Sequence, residues 1–229
     1  MGFESKQENN TTFLTIAGGL IWNKKADESH PDFQVQEYLT KDNEKKERKG
    51  ASWQSVTCKV VGVGFNSHDE YGDSIRVSID VDGESFILSI PDNSRNSQHM
   101  MQFLLLGDIK QPVNIRTYDF ESNDGTRFYG ISFTQNGKKV DLKEIRNLYP
   151  DKFKKDKAFF ATSTKKVKKR YFEDLNDWLI EEVTNKVCVL FEKEKPSTDG
   201  YIDMGVDEEE FSENGVDEKS TKDKLKDLI

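Results

Sequence analysis

Residues 74 to 81 (SIRVSIDV) alternate without a fault, with Ile75, Val77, Ile79 and Val81 on one face and Ser74, Arg76, Ser78 and Asp80 on the other. A two-residue period held over eight positions describes a strand with one buried and one wet face, and a helix cannot gather such a set on one side. Asp82-Gly83 follows directly. This pair suits a tight hairpin, whose central residues need positive φ, so Glu84 to Ile90 is expected to return antiparallel to 74–81. The middle of the chain is thereby committed to a sheet.

The flanking segments extend that sheet. From Ser52 to Phe65, Val56, Cys58 and Val60 point one way and Trp53, Ser55, Thr57 and Lys59 the other, until Gly62 and Gly64 break the pattern. Glycines inside a strand mark a bulge or sharp bend, which a small closed barrel needs. Pro91-Asp92-Asn93-Ser94 reads as a turn and helix cap. The helix it opens carries Met100, Met101, Leu104 and Leu105 at helical spacing and stops at Gly107. Past Pro112, Val113, Ile115 and Thr117 alternate with Asn114, Arg116 and Tyr118; SNDG then turns the chain into Arg127 to Thr134, which Asn136-Gly137 closes.

The order strand, strand, strand, helix, strand, strand, with a glycine-bent first strand, resembles the OB-fold. The expected fold class is mainly β: a five-stranded OB-like barrel with one inserted helix, a C-terminal amphipathic helix and a disordered acidic tail. Upstream, TTFLTIAGGLIW reads as a strand interrupted at Gly18-Gly19, and the polar stretch 23–50 ends in KDNEKKERKG, which reads as an exposed loop. Downstream, 143–149 reads as a helical turn. Tyr171 to Val187 then reads as a helix with Phe172, Leu175, Trp178, Leu179 and Val183 in one stripe, either docked on the barrel or forming a homodimer surface. Residues 1–198 are expected to form the domain and 199–229 a flexible tail.

Charge is distributed in blocks. The chain carries 34 Lys and Arg against 42 Asp and Glu, net −8, yet residues 199–229 alone hold eleven acids and four lysines, or −7. Residues 152–170 hold nine bases (Lys152, Lys154, Lys155, Lys157, Lys165, Lys166, Lys168, Lys169 and Arg170) against Asp156 alone, a local +8. Screening over a Debye length of ~8 Å makes this local density decisive for a phosphate backbone whatever the net charge. A solvated helix face is the plainer reading of such a run. The longest apolar stretch, Phe13 to Trp22, is about half the ~20 residues a membrane helix needs. The first ten residues carry neither a basic nor an apolar leader region, so the expected location is the cytoplasm, that of the host if the protein is viral.

Catalysis finds little foothold. Asp80, Asp82 and Glu84 could gather carboxylates around a divalent cation, as in a metal-dependent nuclease, but the hairpin explains them more simply. Cys58 sits on the apolar side of its strand and reads as core rather than nucleophile. Cys188 is isolated, and three scattered histidines offer no zinc spacing. No cofactor, metal or enzymatic activity is expected. Binding is better supported: Arg116, Tyr118 and Phe120 share an outward face, Phe128 is outward on the next strand, Trp53 and Lys59 are outward on the first and Arg76 on the second. Rings stacked on bases gain ~1–3 kcal/mol each without regard to sequence, while cations follow the phosphates. The alternative is that Phe120 and Phe128 cap the open barrel end and Trp53 packs under the last helix.

The barrel-like order from Trp53 to Thr134, the basic segment after it and the acidic stretch Asp207 to Glu218 together resemble, in layout, the replicative single-stranded-DNA-binding proteins of bacteriophages. The resemblance covers roughly residues 50 to 229. It implies DNA binding without sequence preference in replication and recombination. It also implies a tail (Asp207, Glu208, Glu209, Glu210, Phe211, Glu213, Asp217 and Glu218) that recruits partners such as a polymerase or helicase and competes with DNA for the basic groove. Lys219, Lys222, Lys224 and Lys226 and the apolar end Leu228-Ile229 depart from that pattern. A non-catalytic protein-interaction adaptor or virion component on the same scaffold is the alternative.

Overall fold

The computed structural model describes residues 12–39, 44–67, 72–123 and 127–192. Their strands are β1 (Thr12–Ala17), β2 (Leu20–Asn23), β3 (Phe33–Leu39), β4 (Lys45–Trp53), β5 (Ser55–Asn66), β6 (Ser74–Val81), β7 (Glu84–Pro91), β8 (Val113–Glu121), β9 (Arg127–Gln135) and the short β10 (Lys138–Lys139). Helix α1 (Arg95–Leu106) joins β7 to β8, and α2 (Lys157–Thr162) and α3 (Lys165–Val183) follow the strands. The protein is mainly β, and its strands form one sheet in the order β10-β9-β8-β5-β6-β7-β1-β2-β4-β3.

Strand β5 serves two ladders, and the bulge its glycines mark lies within the second. Its first residues pair with β8, from Ser55 opposite Arg116 to Cys58 opposite Val113. From Lys59 onward it pairs with β6, with a register slip between Val60 and Gly62 that bends the strand. The β6–β7 hairpin turns at Asp82 and Gly83, both with positive φ, and Ile75, Val77 and Ile79 are fully buried. Each such side chain contributes ~1.5–3 kcal/mol over remaining exposed. Helix α1 starts where the Ser94 hydroxyl accepts the Ser97 N–H at 3.1 Å. It buries Met100, Met101, Phe103 and Leu104, and Phe103 stacks on Phe133 of β9 at 4.4 Å with ring planes 9° apart.

Three expectations are redrawn by the structure. The strands β5 to β9 belong to a larger, ten-stranded sheet: the second neighbour of β7 is β1, running parallel from Thr12 opposite Phe86 to Thr15 opposite Ser89, and that of β9 is β10. The apolar β1 occupies the edge of β7 because Leu14 and Ile16 gain burial there. Its hairpin to β2 turns at Gly18 and Gly19, both with positive φ. Gly19 abuts β8, where an added Cβ would lie 2.5 Å from Asp119 Cβ.

The second concerns KDNEKKERKG, expected as a loop. From Lys45 it is strand β4, paired with β3 from Lys45 opposite Leu39 to Ala51 opposite Phe33. Most of this hairpin is exposed on both faces, so no apolar period marks it; Arg48 supports it instead, with its guanidinium 4.7 Å from the Tyr38 ring centre and 5.6 Å from that of Trp22. Trp53 thus closes β4 rather than opening β5.

The third is the last helix. It begins at Lys165, where the Thr164 hydroxyl accepts the Val167 N–H, so five of the nine bases of the basic run lie on it. Its stripe of Leu175, Leu179 and Val183 is buried and packs on α1, whereas Phe172, expected in that stripe, is 45% exposed. A wider π turn at Thr184–Cys188 packs against β5 and α1, and the helix runs on through Val189–Glu192. Among the described residues no helix is long and apolar enough to cross a membrane. The tail at 199–229 lies outside the described residues.

Candidate nucleic-acid interface

Alternation along β8 puts Arg116, Tyr118 and Phe120 on one face, and the register with β9 sets Ser132, Gly130 and Phe128 directly across from them. Phe120 and Phe128 stack with centroids 5.4 Å apart and planes 21° apart, and Tyr118 leans against Phe120 at 6.0 Å and 34°. Gly130 makes room for this row, since a Cβ there would come within 2.6 Å of Tyr118 Cζ. Phe120 and Phe128 remain 55% and 36% exposed. Burying a Phe is worth ~1.5–3 kcal/mol, and this row leaves much of that unused, so the needs of the fold do not account for it.

The row borders an open groove of about 1860 Å³. Lys154, Lys155, Phe160, Tyr171 and Phe172 come to the same groove from the C-terminal segment, and Arg146 from a 3-10 turn at Leu142–Asn147. Among the described residues seven cationic side chains line it (Arg95, Arg116, Lys139, Lys143, Arg146, Lys154 and Lys155) against three acids, Asp119, Asp141 and Asp156. Two of these acids serve the backbone: Asp141 accepts the Lys143 N–H at 3.0 Å and Asp156 the Phe159 N–H at 2.8 Å. A chain of net −8 therefore presents a groove with a cationic excess of four. Lys154 also sits 3.0 Å from exposed Asp151, a surface pair of little energetic weight.

Beneath the groove the aromatic packing is firm. The Tyr171 hydroxyl donates to the Phe153 carbonyl at 2.9 Å. Burial raises that hydroxyl above its ordinary range, with Arg146 pulling the other way, so it stays protonated as a donor. Tyr149, also raised by burial, accepts from Gln102 Nε2 at 3.2 Å, and its ring meets Trp178 edge-on at 5.3 Å. Burial, followed by the charge of Arg95, holds the His99 imidazole below its usual value.

Of the residues singled out in the sequence, Arg116, Tyr118, Phe120, Phe128, Lys154 and Lys155 meet in this groove. Trp53 lies elsewhere: its indole N–H donates to Asp32 at 2.8 Å and its ring meets His30 edge-on. Lys59 is opposite Asp80 in the β5–β6 ladder. The Arg76 guanidinium lies 5.5 Å from the Phe13 ring centre, and the Lys152 ammonium is 4.7 Å from that of Phe153; neither lines the groove. Lys165, Lys166, Lys168, Lys169 and Arg170 occupy the first half of α3 outside the groove lining, with Lys169 3.7 Å from Glu173 and Arg170 4.0 Å from Asp174. Asp207, Glu208, Glu209, Glu210 and Phe211 lie outside the described residues. Sequence reading missed Arg95, Lys139, Lys143, Arg146, Phe160, Tyr171 and Phe172. The interleaving of Phe159, Phe160, Tyr171 and Phe172 with the lysines of 152–170 was the available signal for the aromatic part.

The competing chemistry has weaker geometry. Asp80 accepts the Gly83 N–H at 3.3 Å and so serves its hairpin. Among the described residues no group of three His, Cys, Asp or Glu side chains is placed to hold a metal. Cys58 is buried, and burial together with the Asp80 charge pushes its thiol up to about 12, which leaves it no thiolate for attack near neutrality. No protein-family model, curated protein or solved structure matches the chain.

Proposed function

We propose that this chain is a non-catalytic protein that binds single-stranded DNA without sequence preference, of the kind bacteriophages use in replication and recombination. The observation that carries the reading is the exposed Phe120–Phe128 stack beside a groove lined by seven cations and three acids. An unpaired strand offers what both features need, because its bases have free flat faces and its phosphates are regularly spaced. Duplex DNA hides the faces.

The OB reading belongs to the same proposal. The strand and helix order from β5 to β9 and the sharing of β5 between β6 and β8 support it. The β1–β2 hairpin then stands as an addition beside β7, where the simplest barrel would close. The acidic segment 207–218 acts as a tethered competitor for the groove and as a docking sequence for replication proteins. At a tether of ~20 residues its effective concentration is on the order of millimolar.

The test is fluorescence anisotropy of a labelled oligo-dT at two salt concentrations. Binding that weakens with salt and tightens when 199–229 is deleted supports the reading. Absence of binding at low salt overturns it and favours the adaptor alternative.

A further inference from the structure

The second half of the groove carries aromatics that the fold does not require. Helix α2 has six residues and buries none of them fully. It is held between two caps, Asp156 on the Phe159 N–H and Thr164 on the Val167 N–H at the start of α3. Phe160 of α2 and Phe172 of α3 stack with centroids 6.0 Å apart and planes 24° apart. Phe172 is 45% exposed although its helix has a buried stripe one turn further on.

The pair is nevertheless fixed. Tyr171 touches Phe160 and Phe172 edge-on, each at 5.2 Å, and its hydroxyl is tied to the carbonyl of buried Phe153. A line of contacts thus runs from the core to two rings held at the surface. Such pre-organisation lowers the entropy lost on binding.

We infer that Phe160 and Phe172 form a second base-stacking station in the groove, so that one unpaired strand is held at two aromatic sites, Phe120–Phe128 on the strands and Phe160–Phe172 on the helices. The inference rests on the single-strand reading above and specifies how that strand is held. Charge complementarity selects the occupant: Arg146, Lys154 and Lys155 line the same groove as the helical pair, and the described lining residues have a cationic excess. Size agrees, because about 1860 Å³ exceeds the ~300–1,000 Å³ of small-molecule sites and suits a segment of polymer.

The experiment compares wild type, Phe120→Ala, Phe172→Ala and the double variant Phe160→Leu/Phe172→Ala on two labelled strands of equal length, oligo-dT and an abasic strand with the same phosphates. Stacking at the helical station predicts roughly 5- to 150-fold weaker binding of oligo-dT by the double variant, with an unchanged salt slope and unchanged affinity for the abasic strand. Phe172→Ala alone is expected to move in the same direction and keeps the test in force should the double variant fail to fold. If wild type binds oligo-dT and Phe120→Ala weakens it while the folded helical variants bind like wild type, the second station is overturned and the single-strand reading stands. Equal losses on both strands also overturn it, because the rings would then act by positioning lysines. Failure of wild type to bind oligo-dT overturns the reading itself.

Discussion

Tyr118 lies across Gly130, its cross-strand partner in the β8–β9 ladder, so closely that any Cβ at position 130 would fall 2.6 Å from Tyr118 Cζ. The obstructed atoms are at the far end of a ring that can swing outward. Gly130→Ala is therefore expected to change stability by no more than ~1 kcal/mol, since the ~0.5–1 kcal/mol gained by removing a strand glycine offsets the lost ring packing. The displaced ring no longer braces Phe120. Oligo-dT binding should weaken several-fold while the melting temperature hardly moves. A large drop in melting temperature would show instead that the glycine serves the fold.

Phe120 and Phe128 separate stacking from stability in the same way. Because Phe120 is 55% exposed, Phe120→Ala is expected to fall well short of the ~3–5 kcal/mol of a core Phe deletion, whereas Phe133→Ala in the core should reach that range. Binding should follow the opposite order, with ~1–3 kcal/mol lost on oligo-dT for Phe120→Ala. Thermal melts of both variants alongside anisotropy titrations check both halves.

What could be read in advance depended on whether burial wrote a period into the chain. Strand β6 has one dry and one wet face, so Ile75, Val77 and Ile79 announced it; β4 is wet on both faces over Lys45–Lys49, and its charges concealed a strand. The parallel contact of β1 with β7 was hidden for another reason, because alternation fixes faces and not edges. The groove divides similarly. Arg116, Tyr118 and Phe120 were legible because one strand face holds them together. Trp53, Lys59 and Arg76 lie away from the groove, since the alternation of a strand does not say which part of the sheet a residue faces, and Trp53 packs against the core. Phe160 and Phe172 reach the groove through a six-residue helix and a cap, a turn geometry that the sequence presented as an undifferentiated basic run.

Salt dependence identifies which cations touch phosphate. For single strands the slope of log K against log salt is about −0.7 per neutralised phosphate, so Arg116→Gln and Lys155→Gln should each flatten it by ~0.7. Lys59→Gln, outside the groove, should leave the slope unchanged. Titrations over a fourfold salt range distinguish these outcomes, and a slope altered equally by all three would place the strand elsewhere.

His99 gives the fold a pH dependence whose sign follows from burial. Desolvation, with Arg95 next in weight, lowers its folded pKa below the ordinary ~6.5, while a hydrogen bond with the Ile131 backbone opposes the shift. Between the lowered value and ~6.5 the unfolded chain binds more protons than the native one, so stability falls as the pH drops through that window. Above ~6.5 both states are neutral and this contribution is flat. Chemical denaturation at pH 7.5 and 5.5 should therefore show a loss on acidification that His99→Gln reduces, because Gln keeps a polar side chain at the site but takes up no proton. If the variant and wild type lose the same stability, the imidazole is not the group being titrated. The half-buried carboxyl of Asp92 cannot imitate the effect: partial burial, with the Asp73 charge next, raises its pKa, so protonating it in acid stabilises the fold and acts in the opposite direction.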